Sequence, residues 1–124
     1  MIAADASTLS ALLFGEAGRD VDLLASEMAQ GGLRLPPVVL TEILTDTKVA
    51  ALLAPKLDDL ELLAITDGYW QRAGTTRSKL KSRGLKANVA DTLIAQSCID
   101  HDVALITRDG DFKHFAKHCG LKLA

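Results

Sequence analysis

Short apolar runs alternate along the chain with stretches of helical hydrophobic spacing. IAAD (2–5) predicts a short buried strand, with Ser7 or Thr8 placed to cap the helix that follows. Residues 18–29 carry Val21, Leu24, Ala25 and Met28 at helical spacing, and Gly31-Gly32 ends that helix. LRL (33–35) predicts a second strand. Pro36-Pro37 then suits a helix start, because proline at the first helical position gives up a donor that has no partner anyway. That helix runs through VVLTEILT, and a second short one follows before Pro55. LELLAIT (60–66) predicts a strand, residues 67–82 a helix that Gly84 breaks, and Asn88 caps a helix over 89–101. VALIT (103–107) predicts a strand, FKHFAKHC (112–119) a helix, and LKL (121–123) a last short strand. Strands alternating with helices mean βαβ units. The expectation is an α/β fold: a parallel sheet of about five short strands with helices on both faces.

The length fits one domain over residues 1–124. With 48% hydrophobic and 24% charged residues the composition is that of a folded globular chain and excludes disorder. No apolar run reaches the length of a membrane span, and MIAADASTL lacks the basic start and long apolar stretch of a signal peptide. Cys98 and Cys119 have no metal-type spacing and read as small buried apolar residues, so a reducing cytoplasm is expected.

The net charge of −2 hides an asymmetry. Residues 1–71 hold 11 acids and 4 bases, whereas residues 72–86 hold 6 bases and no acid. A cationic segment in an acidic chain is a candidate phosphate-contacting surface, and a solvated helix face is the plainer alternative.

In a parallel α/β sheet, ligands bind where strands end and helices begin. Five acids map to that edge. Asp5 ends the first strand, and Glu42 lies in the second turn of the helix after LRL. Asp91 opens the helix 89–101, and Asp109 and Asp111 follow VALIT. Acids are also favoured at helix starts as caps, which suits Asp67, Asp109 and Asp111. Asp91 resists that explanation, because Ile94, Ala95 and Cys98 continue its face and an unpaired acid there is costly. Converging carboxylates repel: two charges about 5 Å apart at an effective dielectric near 20 cost roughly 3 kcal/mol. No lysine or histidine is obviously placed to neutralise them, so a divalent cation is expected. An oxygen-only set with Ser7 and Thr107 nearby suits Mg²⁺ or Mn²⁺ rather than zinc.

IAADAST, LTEIL, NVADTLIAQ and LITRDGDF, in this order and spacing, resemble the PIN domain. Within that family they are most like the VapC-type toxin ribonucleases of prokaryotic toxin–antitoxin pairs. The resemblance spans essentially the whole chain. It implies a three-layer α/β sandwich and Mg²⁺- or Mn²⁺-dependent endoribonuclease activity. Asp5, Glu42, Asp91 and Asp109 would be the catalytic, metal-binding acids. Ser7, Thr107 and Asp111 would be accessory, and Asp67 would remain a cap. The partners would be RNA, a transfer or ribosomal RNA among the candidates, and an antitoxin that wraps the toxin, itself a homodimer. Arg72, Arg77, Lys79 and Arg83 are the candidate phosphate contacts, and His101, His114 and His118 read as structural or surface residues. The alternatives are a non-toxin PIN nuclease, a catalytically silent PIN-like module, and a phospho-acceptor or phosphatase domain. The last fits less well, because the first strand offers one acid and Ser7 stands where a phosphatase needs a second aspartate.

Overall fold

A computed structural model describes all of residues 1–124. In chain order the elements are β1 (Ile2–Ala4), α1 (Ala6–Leu13), α2 (Arg19–Ala29), β2 (Leu33–Arg34), α3 (Pro37–Thr45) and α4 (Thr47–Leu53). A 3₁₀ turn (Ala54–Asp59) leads on to α5 (Tyr69–Ser82), α6 (Val89–His101), β3 (Leu105–Ile106), a second 3₁₀ turn (Gly110–Phe112) and α7 (Lys113–Cys119).

The sheet is parallel with order β2-β1-β3, pairing Ile2 with Leu33 and Ala3 with Leu105. All three residues of β1 are buried, so both its faces are covered, as a parallel sheet requires. The helices flank it: α1 and α2 pack together on β1, while α5 packs against α6 and α7. Leu9, Leu35, Ile94, Leu105 and Phe115 are among the fully buried side chains that fill the space between.

Two of the five expected strands shrink to single parallel bridges, Leu35 to Leu62 and Leu105 to Leu123. They continue the sheet outward on both sides, Leu63 N–H donating to Leu35 O and Ala124 N–H to Leu105 O. Their position explains their brevity. An edge segment has a neighbour on one side only, and Leu62 and Ile65 of the 60–66 run stay 44% and 43% exposed. Three local expectations also change. Asp5 itself caps α1, its Oδ1 accepting from Thr8 N–H, so the capping role falls to neither Ser7 nor Thr8. Asp67 caps nothing: Gly68 stands before α5 in the left-handed region at φ 82°, without a side-chain cap. Cys98 is buried, but Cys119 is only half-buried, and both are free thiols.

Candidate metal centre

The end of β1 delivers Asp5, which is 5% exposed, beneath the acidic edge. Its two oxygens are held separately. Ser7 Oγ donates to Oδ1 at 2.7 Å and Thr107 Oγ1 to Oδ2 at 2.6 Å. The same hydroxyls fix the β3 side of the site. Ser7 Oγ accepts the Arg108 N–H at 3.0 Å, and Thr107 Oγ1 accepts the Asp109 N–H at 3.0 Å. Asp109 in turn caps the second 3₁₀ turn by accepting from Asp111 N–H at 2.9 Å. Asn88 caps α6 through the Asp91 N–H at 2.7 Å and donates from Nδ2 to Asp91 Oδ2 at 3.0 Å. Capping and site-building therefore use the same residues here.

Asp91, Asp109 and Asp111 each offer a carboxylate oxygen within 4.8 Å of the others. Asp5 and Glu42 stand just outside this trio but feel its charge. Burial first, then the nearby Asp109 charge, pushes the Asp5 carboxyl up against the bonds from Thr107 and Ser7 that favour its ionised form. Asp91 is raised by burial, then by Asp109, with Asp111 and Asp5 adding to it. Glu42 is exposed, yet partial desolvation and the charges of Asp91 and Asp5 raise it too. The five acids thus form one electrostatic unit built from four stretches of chain. Its tightest trio includes Asp111, read from sequence as accessory, in place of Asp5 and Glu42. An oxygen-only donor set with mutual repulsion fits a hard divalent cation.

The sequence offers no obvious counter-cation, but the structure supplies one. Lys86 Nζ lies 2.8 Å from Asp111 Oδ2. Gly84, at φ 71° in the left-handed region, turns the chain off α5 so that Lys86 reaches the cluster. The signal was legible only as one base among the six of segment 72–86. Arg108, between Thr107 and Asp109, does not neutralise the site. Its guanidinium turns to Asp20 Oδ2 at 2.6 Å and to Ala17 O at 2.9 Å. Replacing Lys86 by Met should tighten Mn²⁺ binding roughly two- to fivefold, the effect of losing one partly exposed competing ion pair. Calorimetric titration at low salt checks this, and weaker binding in the variant would mean Lys86 supports the ion. Thr107→Val should cost about 1–2 kcal/mol of stability by stripping Asp5 and the Asp109 N–H of a partner. It should also weaken Mn²⁺ binding roughly 10- to 100-fold, as lost support around metal ligands does. Unchanged affinity in the variant would detach Thr107 from the site.

The expected phosphate contacts separate. Arg72 bonds Asp100 Oδ2 at 2.6 Å and Asp67 O at 2.7 Å. Asp100 lies nine residues beyond Asp91 on α6, or about 13 Å along the helix, so Arg72 is committed at the wrong end of the domain for the acidic edge. Arg77 Nε bonds Ala87 O at 2.8 Å and supports the turn into α6. Lys79 and Arg83 are exposed and have no ion-pair partner. His101 contacts Ala64 O at 2.8 Å, away from the acids.

A family model described as PIN domain matches residues 2–118. No curated protein matches the chain. Among solved structures, a chain of VapBC2 from Rickettsia felis, bound to a DNA fragment from its promoter, superposes with a TM-score of 0.77 at 20% identity, covering 100% of this chain and 98% of the other. A chain of FitAcB from Neisseria gonorrhoeae gives a TM-score of 0.71 at 19% identity, covering 99% and 96%. At these identities the likeness is one of fold.

Proposed function

Because the chain belongs to the PIN domain family, we propose that it is a divalent-cation-dependent endoribonuclease, the toxin half of a toxin–antitoxin pair. The observation that carries this reading is the acidic edge: Asp91, Asp109 and Asp111 within 4.8 Å of one another, against a single lysine. Asp5, Glu42, Asp91 and Asp109 would hold Mg²⁺ or Mn²⁺, with Asp111 completing the set. When bound, such a cation polarises a phosphate and makes bound water acidic.

The chain's own residues do the rest. Ser7 and Thr107 fix both oxygens of Asp5, so that carboxylate cannot swing away as ligands come and go. Asn88 holds one oxygen of Asp91, Oδ2, and the Asp111 N–H of the 3₁₀ turn holds one oxygen of Asp109, Oδ1. This preorganisation directs negative charge at one point without later rearrangement. Water attacks phosphorus, the bond to the 3′ oxygen breaks, and that oxygen takes up a proton. The products are a 3′-hydroxyl and a 5′-phosphate. No histidine is required, and His101 is occupied elsewhere.

The fold likeness to a chain of VapBC2 supports an antitoxin as partner. A homodimer acting on cytoplasmic RNA completes the reading. No helix is long and apolar enough to cross a membrane. Induced expression in a bacterial host tests it: growth should stop, and Asp5→Asn should restore growth at equal protein level. Arrest that persists in the variant, or no arrest at all, would contradict the toxin reading.

A further inference from the structure

Outside the acidic edge, the most unbalanced surface lies on α5 and α7. Neither helix contains an acidic residue. Of the fourteen lysines and arginines, five are ion-paired: Arg34, Arg72, Lys86, Arg108 and Lys122. Among the remainder, Lys79, Lys81 and Arg83 lie at the end of α5, and Lys113 and Lys117 on α7. The two helices pack against each other. Lys79 and Arg83 are four residues apart and share a face of α5 and its C-cap, as His114 and His118 share a face of α7.

Both rows meet at one seam. His118 is half-buried there, and its partial burial, then Arg83, Lys117, Lys79 and His114, hold its imidazole below the usual range. Like charges gathered without a counter-charge are costly unless something else supplies it. The seam also joins the acidic edge. Arg83 lies three residues before Lys86, whose ammonium touches Asp111, and α7 begins two residues after Asp111. On its other side a shallow concavity has only polar and glycine lining, including Gln71, Thr75, Ser78 and Ser82 beside Lys79.

We propose that the α5–α7 seam, through Lys79, Arg83, His114, Lys117 and His118, is the track that binds the phosphate backbone of the RNA and feeds it to the acidic edge. This rests on the nuclease reading and adds α7 to the surface, while Arg72 and Arg77 leave it. RNA fits better than an acidic protein segment because the track ends on carboxylates. Under the nuclease reading those carboxylates act on a phosphodiester, so a cationic track that leads to them has RNA as its occupant. The plain polar concavity likewise suits backbone and sugar hydroxyls rather than apolar side chains.

Binding, separate from cleavage, tests this. A fluorescent twelve-nucleotide oligouridylate is titrated into full-length Asp109→Asn protein over a series of salt concentrations. Each lost phosphate contact removes roughly 0.7 from the slope of log affinity against log salt. Lys79→Ala/Arg83→Ala/Lys117→Ala should lower that slope by about 2 and weaken binding at least tenfold. Lys48→Ala/Lys56→Ala, which removes unpaired cations elsewhere, should change neither. Equal losses in both variants, or an unchanged slope in the triple variant, overturn the track. Polyglutamate that binds the seam while oligouridylate does not would make it a protein surface and overturn it too. RNA that binds through the seam in a wild-type protein that cuts nothing would sustain the track and sink the nuclease reading.

Discussion

Asp109→Asn is expected to lower RNA cleavage by roughly 10²- to 10⁴-fold, the rate equivalent of losing several kcal/mol of charge stabilisation at the reacting phosphate. The substitution is conservative in shape. Asparagine can still cap the 3₁₀ turn as Asp109 does through Asp111 N–H, and the Asp109 N–H keeps its bond to Thr107. Folding should therefore be preserved, and circular dichroism with thermal melting would confirm it. Only the negative charge in the tight trio disappears. Cleavage within threefold of wild type would remove Asp109 from the chemistry.

Asp91→Asn should have the second largest effect, and in the opposite direction on stability. Asp91 is 9% exposed and faces the charges of Asp109, Asp111 and Asp5. Its carboxyl is raised above its ordinary value, so the folded state binds that proton more tightly than the unfolded chain does. Below the ordinary value both states are protonated and nothing is lost. As pH rises through the raised value, the folded state carries a penalty that persists to neutral pH. Asp5 and Glu42 act in the same sense. The metal-free protein should consequently gain stability as pH falls from neutral into the acid range where these raised carboxyls take up their protons. Removing one of the charges at neutral pH should raise the metal-free melting temperature by a few degrees, about 1 kcal/mol after the favourable helix-start position of the acid is given up. Mn²⁺ should raise the wild-type melting temperature at pH 7 and less in the acid range where the raised carboxyls protonate, because it binds the ionised folded site. In Asp91→Asn that response should vanish. A variant that melts lower and keeps its response to Mn²⁺ would place Asp91 outside the centre.

Much of this is legible in the sequence, for identifiable reasons. Asp5, Asp91 and Asp109 could be placed because each follows a strand or opens a helix, and a parallel fold gathers such positions on one edge. Asp91 announced itself by continuing an apolar face. Asn88 was readable as a cap, though not as a donor to the Asp91 carboxylate. What sequence could not supply were contacts set by tertiary distance. Lys86 meets Asp111 across 25 residues, and nothing local distinguishes it from the other bases of its segment. Arg72 looked like the same kind of residue, but α6 brings Asp100 beside it. The edge strands failed for a related reason: LELLAIT has the apolar content of a strand, and one-sided pairing leaves it only a bridge.

A nuclease centre built on these carboxylates is tested most directly by cleavage of a labelled RNA by the purified protein in Mn²⁺, in Mg²⁺ and in EDTA, beside Asp5→Asn. Cutting is expected with either ion and not in EDTA, with 5′-phosphate ends on the products, and no cutting by the variant. Cutting that survives EDTA or the Asp5 substitution would contradict a nuclease centre built on these carboxylates.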